Sequence, residues 1–227
     1  MDKKCEICNR KRNMWIESVN AIDLAVHGMV VGIVASAPMG PVGVLTVQRT
    51  LNKGRWYGFA TGVGAALSDL IYAVATGLGM SLVMDFVEKP TTIFYLKIVG
   101  SILLFCFGAY TYYTKPAEPH KPSGNRGTLW HNAFTGFAIT VSNPLIVFLF
   151  LALFARVGFV VPEHPIEQLV GYAGVLTGAI VWWLILTTAL NRLGSRFDMS
   201  TISLLNRLLG LLVMVASVVG LFYTLFR

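Results

Sequence analysis

Charge is scarce in this sequence. Only 13% of its 227 residues are Asp, Glu, Lys or Arg, about half the ~25% of a soluble globular domain. Hydrophobic types make up 55%, so there is too little polar surface to cover an apolar interior, and ordinary soluble folds are excluded. Cysteine is scarce as well: Cys5, Cys8 and Cys106 are the three present, which excludes a disulfide framework. Cys5-Glu6-Ile7-Cys8 has the spacing of half a zinc site, but no second CxxC or HxxxH completes it, so no metal or other cofactor is expected. The 18 basic residues outnumber the 11 acidic ones and leave a net charge of +7. They lack the interleaved aromatics of a nucleic-acid surface, so no nucleic acid is expected as a partner.

What the chain does have is long apolar runs, and a mean hydropathy of +0.66. It reads as an all-α, polytopic membrane protein with the lipid bilayer as its surroundings. Runs at about 24–47, 57–84, 93–113, 132–158, 168–190 and 203–226 are each long enough to cross as a helix, giving six transmembrane helices. The apolar stretch after residue 20 runs far past a signal-peptide core and shows no A-x-A site, so a cleaved signal is not expected. Residues 1–23 read as a basic, disordered tail, and Met14 is an alternative start. Residues 24–113 form a first three-helix repeat, residues 114–131 a cytoplasmic linker rich in proline (Pro116, Pro119, Pro122), and residues 132–227 a second repeat.

Basic residues orient the spans. Arg49, Lys53 and Arg55 lie in the first loop, taken as Gln48 to Arg55, Lys115, Lys121 and Arg126 in the third, and Arg192 and Arg196 in the fifth. These loops belong in the cytoplasm and both termini outside. The tail residues Lys3, Lys4, Arg10, Lys11 and Arg12 pull the other way unless translation begins at Met14. Lys97 and Arg207 sit near span ends and are expected to snorkel, and His120, His131 and His164 are expected to be solvated.

The two halves echo each other at an offset of about 103 to 114 residues. Gly32 precedes Pro38-Met39-Gly40-Pro41 as Gly136 precedes Ser142-Asn143-Pro144, and Lys97-Ile98-Val99-Gly100 parallels Arg207-Leu208-Leu209-Gly210. Three spans is an odd number, so the second copy must cross in the opposite sense, the pattern of an inverted-repeat transporter. The spaced glycines Gly28, Gly32, Gly54, Gly58, Gly62, Gly174 and Gly178 are read as helix-packing positions. Gly62-Val63-Gly64 does not open a dinucleotide fingerprint, since no strand precedes it.

The chemistry is expected at the two breaks. Pro38 and Pro41 lack N–H groups, which leaves the carbonyls of Val34 and Ala37 without helical partners, and Gly40 eases unwinding. Asn143-Pro144 frees the carbonyl of Thr140 in the fourth span. Non-helical backbone at membrane depth is tolerated only inside protein or beside a wet cavity. Each break also creates a helix amino terminus, at Val42-Gly43-Val44 and Leu145-Ile146, whose N–H groups favour an anion, while the carbonyl side favours a cation. An amino-acid zwitterion carries both charges. Asp69 is the acidic residue deep within a span, and its face, Gly62, Ala65, Asp69, Tyr72 and Thr76, is small and polar, opposite Val63, Leu67, Leu70, Ile71 and Val74. The first face should look inward, and an acid there can exchange a proton or bind an ammonium group. The candidate substrate site is therefore Pro38, Gly40, Pro41, Val42, Gly43, Tyr72, Asn143 and Pro144, with Asp69 as the proton-coupling group.

Ala37-Pro38-Met39-Gly40-Pro41-Val42-Gly43-Val44-Leu45, followed by Gln48-Arg49-Thr50-Leu51 and the Gly54 to Asp69 stretch, resembles the LysE/RhtB family of amino-acid exporters, and Asn143-Pro144 resembles its second-half motif. The resemblance runs from about Val26 to Phe226. It implies a multi-pass protein of the bacterial inner membrane, not an enzyme, that moves amino acids or similar small solutes outward against protons. Met39 stands where the family's usual motif has proline, and Leu145 where lysine often follows Asn-Pro. A homodimer is a further partner to consider. Two other readings stay open: a divalent-cation exporter of similar architecture, for which Asp69 and Asn143 are the available ligands, and a non-transporting membrane assembly subunit. An intramembrane redox enzyme would need cysteines at the breaks, and a hydrolase a nucleophile and base that the spans do not offer.

Overall fold

The computed structural model describes residues 21–85, 90–114, 127–143, 145–161, 163–193 and 199–226. Residues 1–20 of the expected tail, with Cys5 and Cys8, the core of the linker, and Pro144 lie outside them, whereas residues 21–23, expected to be disordered, open the first helix. The described residues form eight α-helices and no strand: α1 (Ala21–Ser36), α2 (Pro41–Lys53), α3 (Arg55–Asp85), α4 (Pro90–Tyr113), α5 (Leu129–Val141), α6 (Leu145–Val157), α7 (Pro165–Leu193) and α8 (Met199–Leu225). Helices α3, α4, α7 and α8 are each long and apolar enough to cross a membrane. The pairs α1 and α2, and α5 and α6, reach that length only together, and they bend by 81° and 75° at their breaks. There are thus four to six spans, depending on whether each bent pair counts as one.

The first expected loop is largely helix. α2 continues to Lys53, and a single residue, Gly54, turns the chain into α3. Its N–H bonds the carbonyls of Arg49 and Thr50, and its φ of 108° is a conformation that side chains with a Cβ avoid. Arg49 is consequently not a loop cation. It lies buried in α2, donating to Thr61 Oγ1 at 2.9 Å and to the carbonyl of Asn132 at 3.0 Å, and so ties α2 to α3 and α5. α5 also begins three residues earlier than the expected span, because Thr128 caps it by accepting from the His131 N–H at 3.2 Å.

Helices meet through glycine. α1 packs on α7 and α3 on α5. A Cβ at Gly32 would collide with the carbonyl of Val175, and one at Gly178 with that of Met29; likewise Gly136 abuts Thr61 and Gly64 abuts Ala133. α4 crosses α8 where Gly108 and Gly210 face each other. Such approaches leave no room for side chains, as expected of spaced packing glycines; Gly54 is the exception, since nothing lies within 4 Å of a Cβ there and its place is the turn between α2 and α3. One end of the bundle is filled by a buried aromatic series. Phe154 stacks on Phe159 at 4.4 Å between centroids, with Phe150 on one side and Tyr172 on the other. Gly77 touches the Tyr172 ring and Gly62 the Trp183 ring, so α3 and α7 run antiparallel.

Candidate functional site

Both breaks open onto one cavity of about 360 Å³. Its walls include Pro38, Met39, Gly40, Pro41 and Val42 from the first break, Thr140, Ser142, Asn143 and Leu145 around the second, and Asp69 from α3. It extends past Phe107 to Tyr110, Thr111 and Thr114 at the carboxyl end of α4. Residues separated by more than a hundred positions thus share one concave, mostly apolar space, the usual form of a small-molecule site.

Asp69 is 6% exposed and accepts a hydrogen bond from Ser36 Oγ at 3.2 Å. The face that carries it is turned inward: Gly62, Ala65 and Thr76 are buried beside it, while Leu67 and Ile71 on the far side are exposed. The helical period expects this arrangement, and on this face Gly62 lets the Trp183 ring of α7 approach. Among the described residues, the side-chain partner of this acid is the Ser36 hydroxyl, and no basic side chain lines the cavity beside it.

The first break is held open by a residue that the sequence reading did not single out. Asn206, on α8 and 2% exposed, accepts from the Met39 N–H at 2.9 Å and donates to the Met39 carbonyl at 3.2 Å. One side-chain amide therefore replaces both helical partners that Met39 loses, as buried main-chain polar groups require. Around it the Ala37 N–H reaches Ile33, and the Gly40 N–H folds back on Pro38 at 3.0 Å. α2 then starts with Pro41 at its first turn and with no side-chain cap.

The second break is closed differently. The carbonyl of Thr140, expected to be left open, accepts from the Asn143 main-chain N–H at 3.0 Å. Asn143 then caps α6, its Oδ1 accepting from the Leu145 N–H at 3.2 Å and its carbonyl from the Ile146 N–H at 3.3 Å. An asparagine before a proline is suited to this role.

Of the expected site residues, Pro38, Gly40, Pro41, Val42, Asp69 and Asn143 line the cavity, and Pro144 lies outside the described residues. Gly43 is buried one turn behind the wall, against Met39, and Tyr72 donates from its hydroxyl to the carbonyl of Val141, the last residue of α5. Neither of these two lines the cavity. Asn206, Trp183 and Phe107 do, and none carries a sequence signal beyond being a polar or aromatic residue within a span.

The profile of the LysE type translocator family matches residues 33–223. A Bacillus subtilis (strain 168) protein named "Putative amino acid efflux protein YcgF" is 28% identical over 158 residues, which are 68% of this chain and 74% of that protein. An Escherichia coli (strain K12) protein named "Uncharacterized membrane protein YahN" is 30% identical over 150 residues, 64% of this chain and 65% of that one. No solved structure matches. The match spans both breaks, Asp69 and Asn206, and the chain belongs to the LysE type translocator family, whose members are membrane transporters and not enzymes.

Proposed function

We propose that this chain exports amino acids or closely related zwitterions across the bacterial inner membrane by exchange for protons. The observation that carries the reading is the single cavity joining two helix breaks to a buried carboxylate. The carboxylate receives a proton or the ammonium group of the substrate in turn, and backbone N–H groups at a broken helix receive the substrate carboxylate. The relative named for amino acid efflux is in keeping with this.

Alternating access follows from an inverted repeat, in which α1 to α4 and α5 to α8 are two copies of opposite sense. The helix contacts support it. Gly32 meets Val175 as its counterpart Gly136 meets Thr61, and Met29 meets Gly178 as Ala133 meets Gly64. These contacts join the two halves, and each recurs with the halves exchanged, at the offsets by which the two sequences align. With the basic loops in the cytoplasm, the cavity extends to the cytoplasmic end of α4, and the aromatic series Phe150, Phe154, Phe159 and Tyr172 blocks the outer end.

Reconstituted vesicles test the coupling. A pH gradient should drive amino-acid flux through the parent chain, whereas Asp69→Asn should transport slowly and lose its dependence on the gradient. Equal flux with the same pH dependence in both would refute the role given to Asp69.

A further inference from the structure

The cavity lies between the two apolar clusters of the bundle. Phe107, Ile146 and Leu149 reach it from one, and Met39, Ala65 and Trp183 from the other. Asp69 is the one charged side chain among the described residues of its wall. Once Asp69 holds the ammonium group of a substrate, a second ammonium has no acid to meet and a second carboxylate has no cation, and an unpaired charge in such a space is expensive. The neutral polar groups are largely engaged as well. Thr114, Thr140 and Ser142 give their hydroxyl protons to carbonyls one turn back along the chain, at 2.6, 2.9 and 2.7 Å. Asn206 spends both ends of its amide on Met39. A side chain that needs hydrogen bonds therefore finds few on this wall, whereas an apolar one finds surface. Phe107 and Ile146 are only half-buried, while Met39, Ala65 and Trp183 are at most 2% exposed.

We propose that the transported solute is an amino acid whose side chain is uncharged and apolar, and that this side chain rests on the wall of Phe107, Ile146 and Leu149. The proposal rests on the amino-acid reading above and narrows it. It excludes dibasic and acidic amino acids as substrates, and it makes Phe107 and Ile146 specificity-determining residues. A volume of about 360 Å³ stands near the lower end of small-molecule sites, which run from about 300 to 1,000 Å³, and suits one amino acid rather than a peptide.

The test uses vesicles containing the full chain, supplied in turn with leucine, asparagine, aspartate and lysine. The first three share a forked side chain of similar shape and differ in polarity and charge. The parent should move leucine with a half-saturating concentration about a hundredfold below that of asparagine, the margin by which an apolar pocket rejects a polar isostere. Aspartate and lysine should give no flux above empty vesicles. From alanine through α-aminobutyrate to norvaline, the half-saturating concentration should fall about fourfold for each methylene. Phe107→Ala should raise it about tenfold for leucine and less than about twofold for alanine, a split that general damage to the fold does not produce. Ile146→Ala should show the same split. Flux of aspartate or lysine equal to that of leucine, or equal half-saturating concentrations for leucine and asparagine, would overturn the apolar subsite while leaving amino-acid export standing. Equal shifts for leucine and alanine in both variants would overturn the wall assigned to the side chain. If the parent moves none of the twenty common amino acids, the amino-acid reading falls and the subsite with it.

Discussion

Asn206→Leu isolates the clamp that holds the first break. The substitution preserves side-chain bulk and removes both hydrogen bonds to Met39, at 2.9 and 3.2 Å. Met39 is 2% exposed, so water cannot easily take the place of the lost amide. Leaving one N–H and one C=O unpaired in such surroundings costs about 1–3 kcal/mol each. Leucine is better suited than asparagine to an apolar setting and recovers part of that, so a net destabilisation of about 3 kcal/mol is expected. For a chain of this length that corresponds to a fall in melting temperature of roughly 6–12 °C. The assay is the thermal unfolding of purified protein in detergent, followed by tryptophan fluorescence, alongside uptake into vesicles. Flux should fall with the melting temperature, because the break must keep its shape for Pro38 to Val42 to line the cavity. A variant that melts within about 2 °C of the parent and transports at the parent rate would show that Asn206 does not hold the break.

Three other outcomes follow from the geometry. Gly32→Leu and Gly136→Leu each drive a side chain into a main-chain carbonyl of the facing helix, at Val175 and Thr61; each should cost at least the ~1–3 kcal/mol of overpacking, read as loss of folded protein after detergent extraction. Tyr72→Phe removes one hydrogen bond to the Val141 carbonyl without touching the cavity wall, so it should lower stability by about 1 kcal/mol and leave the half-saturating substrate concentration within twofold in vesicle flux. Gly54→Ala meets no neighbouring atom but forces a Cβ onto a φ of 108°; it should cost about 1–2 kcal/mol in thermal unfolding, whereas an unchanged melting curve would mean that the α2–α3 turn relaxes freely.

Much of the bundle was legible in the residues because its signals are local. Apolar runs of span length and prolines that remove N–H groups act over a few positions, and so does the period that sets Asp69 on the face of Gly62 and Ala65. The first loop differs from its expectation for a related reason. Gln48 to Arg55 is polar, which suits a connection, yet a helix whose buried Arg49 bonds Thr61 and Asn132 has the same composition. The expected orphan carbonyl at Thr140 was likewise a sound inference from Pro144 that missed the nearby Asn143 N–H able to fill it.

By itself the sequence determined the helical membrane class, the places where two helices must break, and the presence of one acid among the apolar residues of the third helix. These follow from the chemistry of the residues themselves, wherever they end up. Only the tertiary structure decided that the breaks and Asp69 share a cavity. It also decided that the amide holding the first break comes from Asn206, 167 positions away from Met39. The physical reason is that a hydrogen-bond donor or acceptor is free or spent according to what packs against it, and in a helical bundle that neighbour comes from another helix.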